Sequence, residues 1–175
     1  DTPAERIATY NEKKEKLKRV SARSWKILAK TGISEGYSIV FGGEDKKLLA
    51  GLVTGTSLNL IVYEKDARRV IELREYFDNA GVTADRISFL QYKERFPALP
   101  KYLSSLTIVN EPYYINYGED DLLKQIYEIT RPYGGKVILN FKGEERERAM
   151  ENFASLNLYG AKLSNNRLAM IIKEG

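Results

Sequence analysis

The sequence predicts an α/β domain built on a doubly wound sheet of seven strands, five of them parallel and the last two an antiparallel hairpin. Three observations point there. Short, nearly continuous apolar runs recur along the chain, the pattern of strands covered on both faces. Helical patterns separate those runs, and strand–helix alternation argues for a parallel sheet with helices on both sides. The C-terminal stretch "YGAKLSNNRLAMIIKEG" breaks the alternation: two short strands meet at Asn165-Asn166, a pair that tolerates the left-handed backbone of a tight hairpin.

In chain order, residues 3–30 read as helix. Pro3 suits a first helical turn, and Ile7, Tyr10, Leu17, Val20, Trp25 and Leu28 recur at irregular helical spacing. The half after residue 20 is expected to pack on the body through Trp25 and Leu28. The half before it reads as a solvated basic arm or linker, so we divide the chain at 1–20 and 21–175. Strands follow at 37–41 (YSIVF), 58–63 (LNLIVY), 86–90 (RISFL), 105–110 (SLTIVN) and 136–141 (KVILNF). Helices are expected between them at 45–53, 66–80, about 93–102 and 119–130, with another at 143–156. Gly81 stops one helix, and "RPYGG" turns another into its next strand. The hairpin strands are placed near 161–164 and 167–173.

The 175 residues suffice for one domain with a full core. With 43% apolar and 30% charged residues the composition is that of a globular protein. No apolar stretch approaches the roughly 20 residues of a membrane span, and no signal-peptide pattern is visible. The chain opens at Asp1 without methionine, from which we expect either a fragment or a processed form. Cysteine and histidine are both absent, which excludes disulfides, thiolate nucleophiles, zinc sites of cysteine/histidine type and a histidine base. No metal site is expected. The net charge of +4 resides in residues 1–30, where nine Lys/Arg face four acids; the remainder holds 19 against 20. In "EKKEKLKR" the interspersed Glu12 and Glu15 favour a solvated helix with i,i+3 and i,i+4 pairs. Contact with nucleic acid or an anionic membrane is the weaker alternative, since clustered Lys/Arg attract phosphate.

From about Ala22 onward this order resembles the Rossmann-like class I S-adenosylmethionine-dependent methyltransferases, whose seven-stranded sheet ends in the same kind of hairpin. "TGISEGYSIVFGGEDKKLLAGL", "LNLIVYEKDARRVIELREYFDNAGV" and "YEITRPYGGKVIL" carry the resemblance in sequence and spacing. It is similar above all to methyltransferase-like segments inside large bacterial proteins of quinoprotein-type (PQQ-like) β-propeller repeats. That likeness implies other domains of a parent chain as partners. It also implies an extracytoplasmic or membrane-associated parent, although the residues themselves leave the compartment open.

The resemblance implies a set of site residues. The family's first strand leads into an acidic-x-Gly-x-Gly-x-Gly loop whose glycines let the backbone approach the cofactor. Here Val40 takes the acidic place, Gly42 keeps the first glycine beside Gly43, and Glu44 and Lys46 replace the second and third. Glu64, after the second strand, stands where the family's ribose-binding acid stands; a carboxylate accepts two hydroxyl hydrogen bonds well. Gln91 and Tyr92 fall at the adenine position. "NEPYY" resembles the Asn/Asp-Pro-Pro-aromatic motif of amino-methylating members, which makes Asn110 and Tyr113 the candidate catalytic residues, with Glu111 in place of the first proline.

Each residue also has a plain structural reading. Glu44 and Asp45 suit a helix N-terminus, as does Asp66 after Glu64. Asp120 and Asp121 read as helix-start acids, and Tyr113, Tyr114 and Tyr117 as rim packing. A carboxylate at position 44 adds volume and negative charge where the cofactor's amino-acid part would lie. We therefore expect a methyltransferase-like domain with a degenerate cofactor loop, weakly active or non-catalytic, with S-adenosylmethionine binding in doubt. The alternative is an active methyltransferase on an unknown acceptor, working by proximity and orientation. A nicotinamide dehydrogenase is a third and weaker reading.

Overall fold

The computed structural model describes residues 2–18, 22–93, 95–115, 120–165 and 169–175. Two N-terminal helices, α1 (Pro3–Lys18) and α2 (Ala22–Thr31), precede β1 (Glu35–Phe41), α3 (Lys46–Gly55), β2 (Ser57–Glu64), α4 (Ala67–Asn79), β3 (Ile87–Gln91) and β4 (Ser104–Val109). A 3-10 turn (Pro112–Tyr114), α5 (Asp120–Ile129), β5 (Gly135–Leu139), α6 (Glu144–Ser155), β6 (Ala161–Asn165) and β7 (Ala169–Lys173) complete the chain. The seven strands form one sheet in the order β3-β2-β1-β4-β5-β7-β6. β1 to β5 are parallel; β7 runs antiparallel to both β5 and β6. This is the expected architecture. Of the predicted hairpin turn, Asn166 lies outside the described residues, as do positions 167 and 168.

Side-chain alternation divides the core between the two faces of the sheet. Val40, Leu60, Val62, Phe89 and Ile108 point into a cluster closed by α2, α3 and α4, with Ile27, Leu49, Leu52, Leu73 and Phe77. Ile39, Phe41, Tyr63, Val109 and Leu139 point the other way, under α5 and α6, against Leu123, Ile126, Met150 and Phe153. Both faces of β4 are buried throughout, which is why its sequence shows no polar alternation.

Two expectations are corrected. No helix forms among the described residues of 92–103. Pro97 lacks an amide hydrogen and Pro100 restricts Leu99, so "KERFPALPKYL" cannot sustain the i→i−4 ladder. The crossover from β3 to β4 is therefore irregular, whereas α3, α4 and α5 make the other parallel crossovers. Second, Trp25 is 61% exposed, although its ring lies near Gly55. The buried stripe of α2 is Ser24, Ile27 and Thr31, with Leu28 partly buried, a regular i, i+3, i+4, i+7 face. In α1, Leu17 joins the core while Ile7 stays exposed.

Candidate functional site

In an open parallel sheet, ligands bind at the carboxyl ends of the strands where the order reverses, here between β1 and β4. Gly42 and Gly43 follow β1 at that point. Gly42 has φ +97°, a left-handed value glycine adopts freely. Its N–H donates to the Tyr63 carbonyl (2.8 Å), and its carbonyl accepts from Asn110 Nδ2 (2.6 Å). A Cβ on Gly42 would lie 3.1 Å from Asn110 Cβ and 3.2 Å from Tyr114 Cε2; one on Gly43 would lie 2.6 Å from Leu73 Cδ1. Both glycines make room for the protein's own side chains.

Glu64 is fully buried at the end of β2. Its Oε2 accepts from Gly43 N–H (2.8 Å), and its Oε1 accepts from Asp66 N–H (2.9 Å) and lies 3.3 Å from Arg69 NH1. Both oxygens thus tie the loop after β1 to the start of α4. Arg69 also pairs with Glu44 at 2.9 Å. Burial works against the Arg69 charge, but the Glu64 and Glu44 carboxylates outweigh it and hold the guanidinium's pKa above its usual value. The Glu44 side chain is 54% exposed and is turned to Arg69, and no Glu44 atom is among the three nearest to a Cβ on Gly42. Asp45 caps α3 through Leu48 N–H and Asp66 caps α4 through Arg68 N–H, both at 2.9 Å.

The end of β1 is covered from the turn that follows β4. Tyr114 is 1% exposed, and its hydroxyl accepts from Lys65 N–H (2.9 Å). Because β1 lies between β2 and β4, this phenol spans the end of β1 from one neighbour to the other. Its ring sits 6.1 Å from that of Phe41 and 5.2 Å from that of Tyr92. Burial raises the Tyr114 pKa, so the phenol stays protonated at neutral pH. Lys65 and Glu111 form a second bridge over the same strand, Nζ to Oε2 at 2.7 Å. That bond holds the Lys65 ammonium above its ordinary pKa. The other carboxylate oxygen, Glu111 Oε1, is buried without a partner and faces Gly42.

The predicted residues therefore separate. Gly42, Gly43, Glu64 and Asn110 belong to an internal network; besides holding Gly42, Asn110 accepts from Asn140 Nδ2 (2.8 Å). Gln91, Tyr92 and Tyr113 instead border an open cavity of about 1430 Å³ between residues 92–103 and α5. Tyr113 is 46% exposed, and Lys65 Nζ lies 4.4 Å from its ring centroid. Tyr117 and the side chains of Asp120 and Asp121 lie outside the described residues. Sequence reasoning missed Tyr114, Lys65, Arg69 and Asn140 as parts of this arrangement. The one legible signal was the pair of charges, Lys65 after β2 and Glu111 after β4, on strands flanking β1.

With seven strands in this order and a terminal hairpin, comparison with solved structures decides the architecture. A protein assigned to the S-adenosyl-L-methionine-dependent methyltransferases from Methanococcus maripaludis superposes with a TM-score of 0.72 at 14% identity, over 86% of this chain and 83% of that one. The fold is that of the class I methyltransferases. A SAM-dependent methyltransferase from Aquifex aeolicus gives 0.63 at 14% identity, over 91% of this chain and 96% of that one. A [4+2]-cyclase, SpnF, gives 0.64 at 11% identity, over 81% of this chain and 57% of that one. The methyltransferase fold is thus shared with a protein described by another activity. No protein-family model and no curated protein matches the chain. No described helix is long and apolar enough to cross a membrane, and the described residues bring together no group of carboxylates fit to hold a metal.

Proposed function

We propose that this chain is a methyltransferase-fold domain whose cofactor crevice is closed by its own side chains, and that it serves as a non-catalytic interaction or spacer module. One observation carries the reading: Tyr114, bonded to Lys65 N–H, lies across the end of β1 where a ligand of this fold would rest. The residues present do not fit S-adenosylmethionine. The carboxylate suited to a ribose is fully buried and already accepts from Gly43, Asp66 and Arg69. The amide suited to a target amine is spent on Gly42 and Asn140. With neither cofactor nor acceptor groups available, no methyl-transfer step is derived. The likeness to segments of propeller proteins makes neighbouring domains of a longer chain the first partners to test.

Calorimetric titration with S-adenosylmethionine and S-adenosylhomocysteine tests this. The unaltered protein is expected to give no saturable heat, whereas Tyr114→Ala combined with Glu111→Ala opens the crevice and creates measurable binding. A dissociation constant below about 10 μM for the unaltered protein overturns the reading.

A further inference from the structure

We propose that the cavity beside α5 is a binding site for a planar aromatic anion, separate from the closed cofactor crevice. The cavity exists because the β3–β4 connection supplies no helix, and it extends along α5 as far as Glu128 and Ile129, away from the strand ends. At about 1430 Å³ it exceeds the roughly 300–1,000 Å³ usual for small-molecule sites, so the ligand occupies its aromatic end rather than the whole groove.

That end is a ring-lined recess. Tyr63, Tyr92, Phe96 and Tyr113 line it, and Phe41 beneath holds two of them in place, 5.6 Å from Tyr63 in a stacked pair and 5.7 Å from Phe96. Tyr63 is 7% exposed, and its hydroxyl hydrogen-bonds to no other described residue. The hydroxyl therefore has a hydrogen bond to offer, and a polar ligand atom in the cavity could take it. Burial raises the Tyr63 pKa, so the phenol offers its proton throughout the neutral range. Lys93 and Arg95 stand exposed on the cavity wall and pair with no described acid. Among the described residues the acids on the wall already interact: Glu128 lies 3.6 Å from Lys101, and Glu145 has an interaction of its own. Among the described residues the charge left available at the mouth is positive. Rings for stacking, a phenol at the floor and two cations at the mouth together select an aromatic ring bearing an acidic group.

The probe is 8-anilino-1-naphthalenesulfonate, followed by fluorescence on the folded protein, with neutral N-phenyl-1-naphthylamine as control. We expect one site, with the neutral dye at least about tenfold weaker. The Lys93→Glu/Arg95→Glu double variant should weaken the anion at least about tenfold, and Tyr63→Phe should do so a few-fold, with unchanged circular dichroism. An excess of S-adenosylmethionine should not displace the dye. Absence of a single site, equal affinity for the neutral dye, indifference to the double variant, or displacement by S-adenosylmethionine each overturns the proposal. The calorimetric test uses no dye, so the two readings fail independently.

Discussion

Replacing Glu64 by glutamine distinguishes a structural carboxylate from a ligand-binding one. The carboxylate accepts from two backbone N–H groups, at 2.8 and 2.9 Å, and from Arg69 at 3.3 Å, with no exposed surface. Glutamine keeps one acceptor oxygen and turns the other into a donor. Either Gly43 N–H or Asp66 N–H then faces an NH₂ group, and one buried donor loses its partner, costing about 1–3 kcal/mol. Arg69 also loses one counter-charge but keeps Glu44, and its partial exposure makes that loss the smaller part. The two effects sum to about 3 kcal/mol. For a domain of this size that lowers Tm by roughly 6–12 °C. Urea unfolding followed by circular dichroism should show a lower midpoint at unchanged slope. Glu44→Gln, at an exposed pair, should stay within about 0.5 kcal/mol of the unaltered protein. A Glu64→Gln protein as stable as its parent would refute the argument, because an acid held ready for a ribose has no reason to support the fold.

Gly42→Ala combines a left-handed φ with a Cβ that meets Asn110 and Tyr114, and should cost about 1–3 kcal/mol in the same urea assay, with or without cofactor present. Lys173 is 7% exposed; burial, aided by Lys101 and opposed by Glu128, puts its folded pKa below the 10.5 of an ordinary lysine. Between that lowered value and 10.5 the unfolded chain binds more protons, so stability should rise with pH across that window, and the rise should be absent in Lys173→Met when urea midpoints are compared there.

The strands were legible because a sheet covered on both faces demands apolar residues at successive positions, and the chain supplies them five times before the hairpin. Asp45 and Asp66 were legible as caps because capping is local. The helix expected at about 93–102 failed because its apolar spacing was weighed above Pro97 and Pro100. Trp25 misled through size: its hydrophobicity is large, but the buried face of α2 is set by the angular position of Ser24, Ile27 and Thr31. Glu44 drew attention in the sequence because it stands beside Gly42-Gly43; Tyr114 did not. The side chain that fills the space, Tyr114, lies beyond a further strand, and its bond to Lys65 joins positions 49 apart. Only the strand order β2-β1-β4 makes them neighbours.

The surviving glycines bear on how such loops are read. A Gly42-Gly43 pair after a first strand invites the inference that a ligand keeps it. Here the same pair is required with no ligand at all. A Cβ at position 43 would stand 2.6 Å from Leu73, a fully buried core residue, and one at 42 would meet Tyr114. Glu44 and Lys46, at the positions where the resemblance implies further glycines, meet no such constraint: Glu44 is exposed, and Lys46 is half-buried with its Nζ 5.2 Å from the Tyr76 ring. The pattern of glycines kept and lost thus follows what the domain packs against itself. On this account the loop carries glycine where its own core needs it and side chains where its packing leaves room.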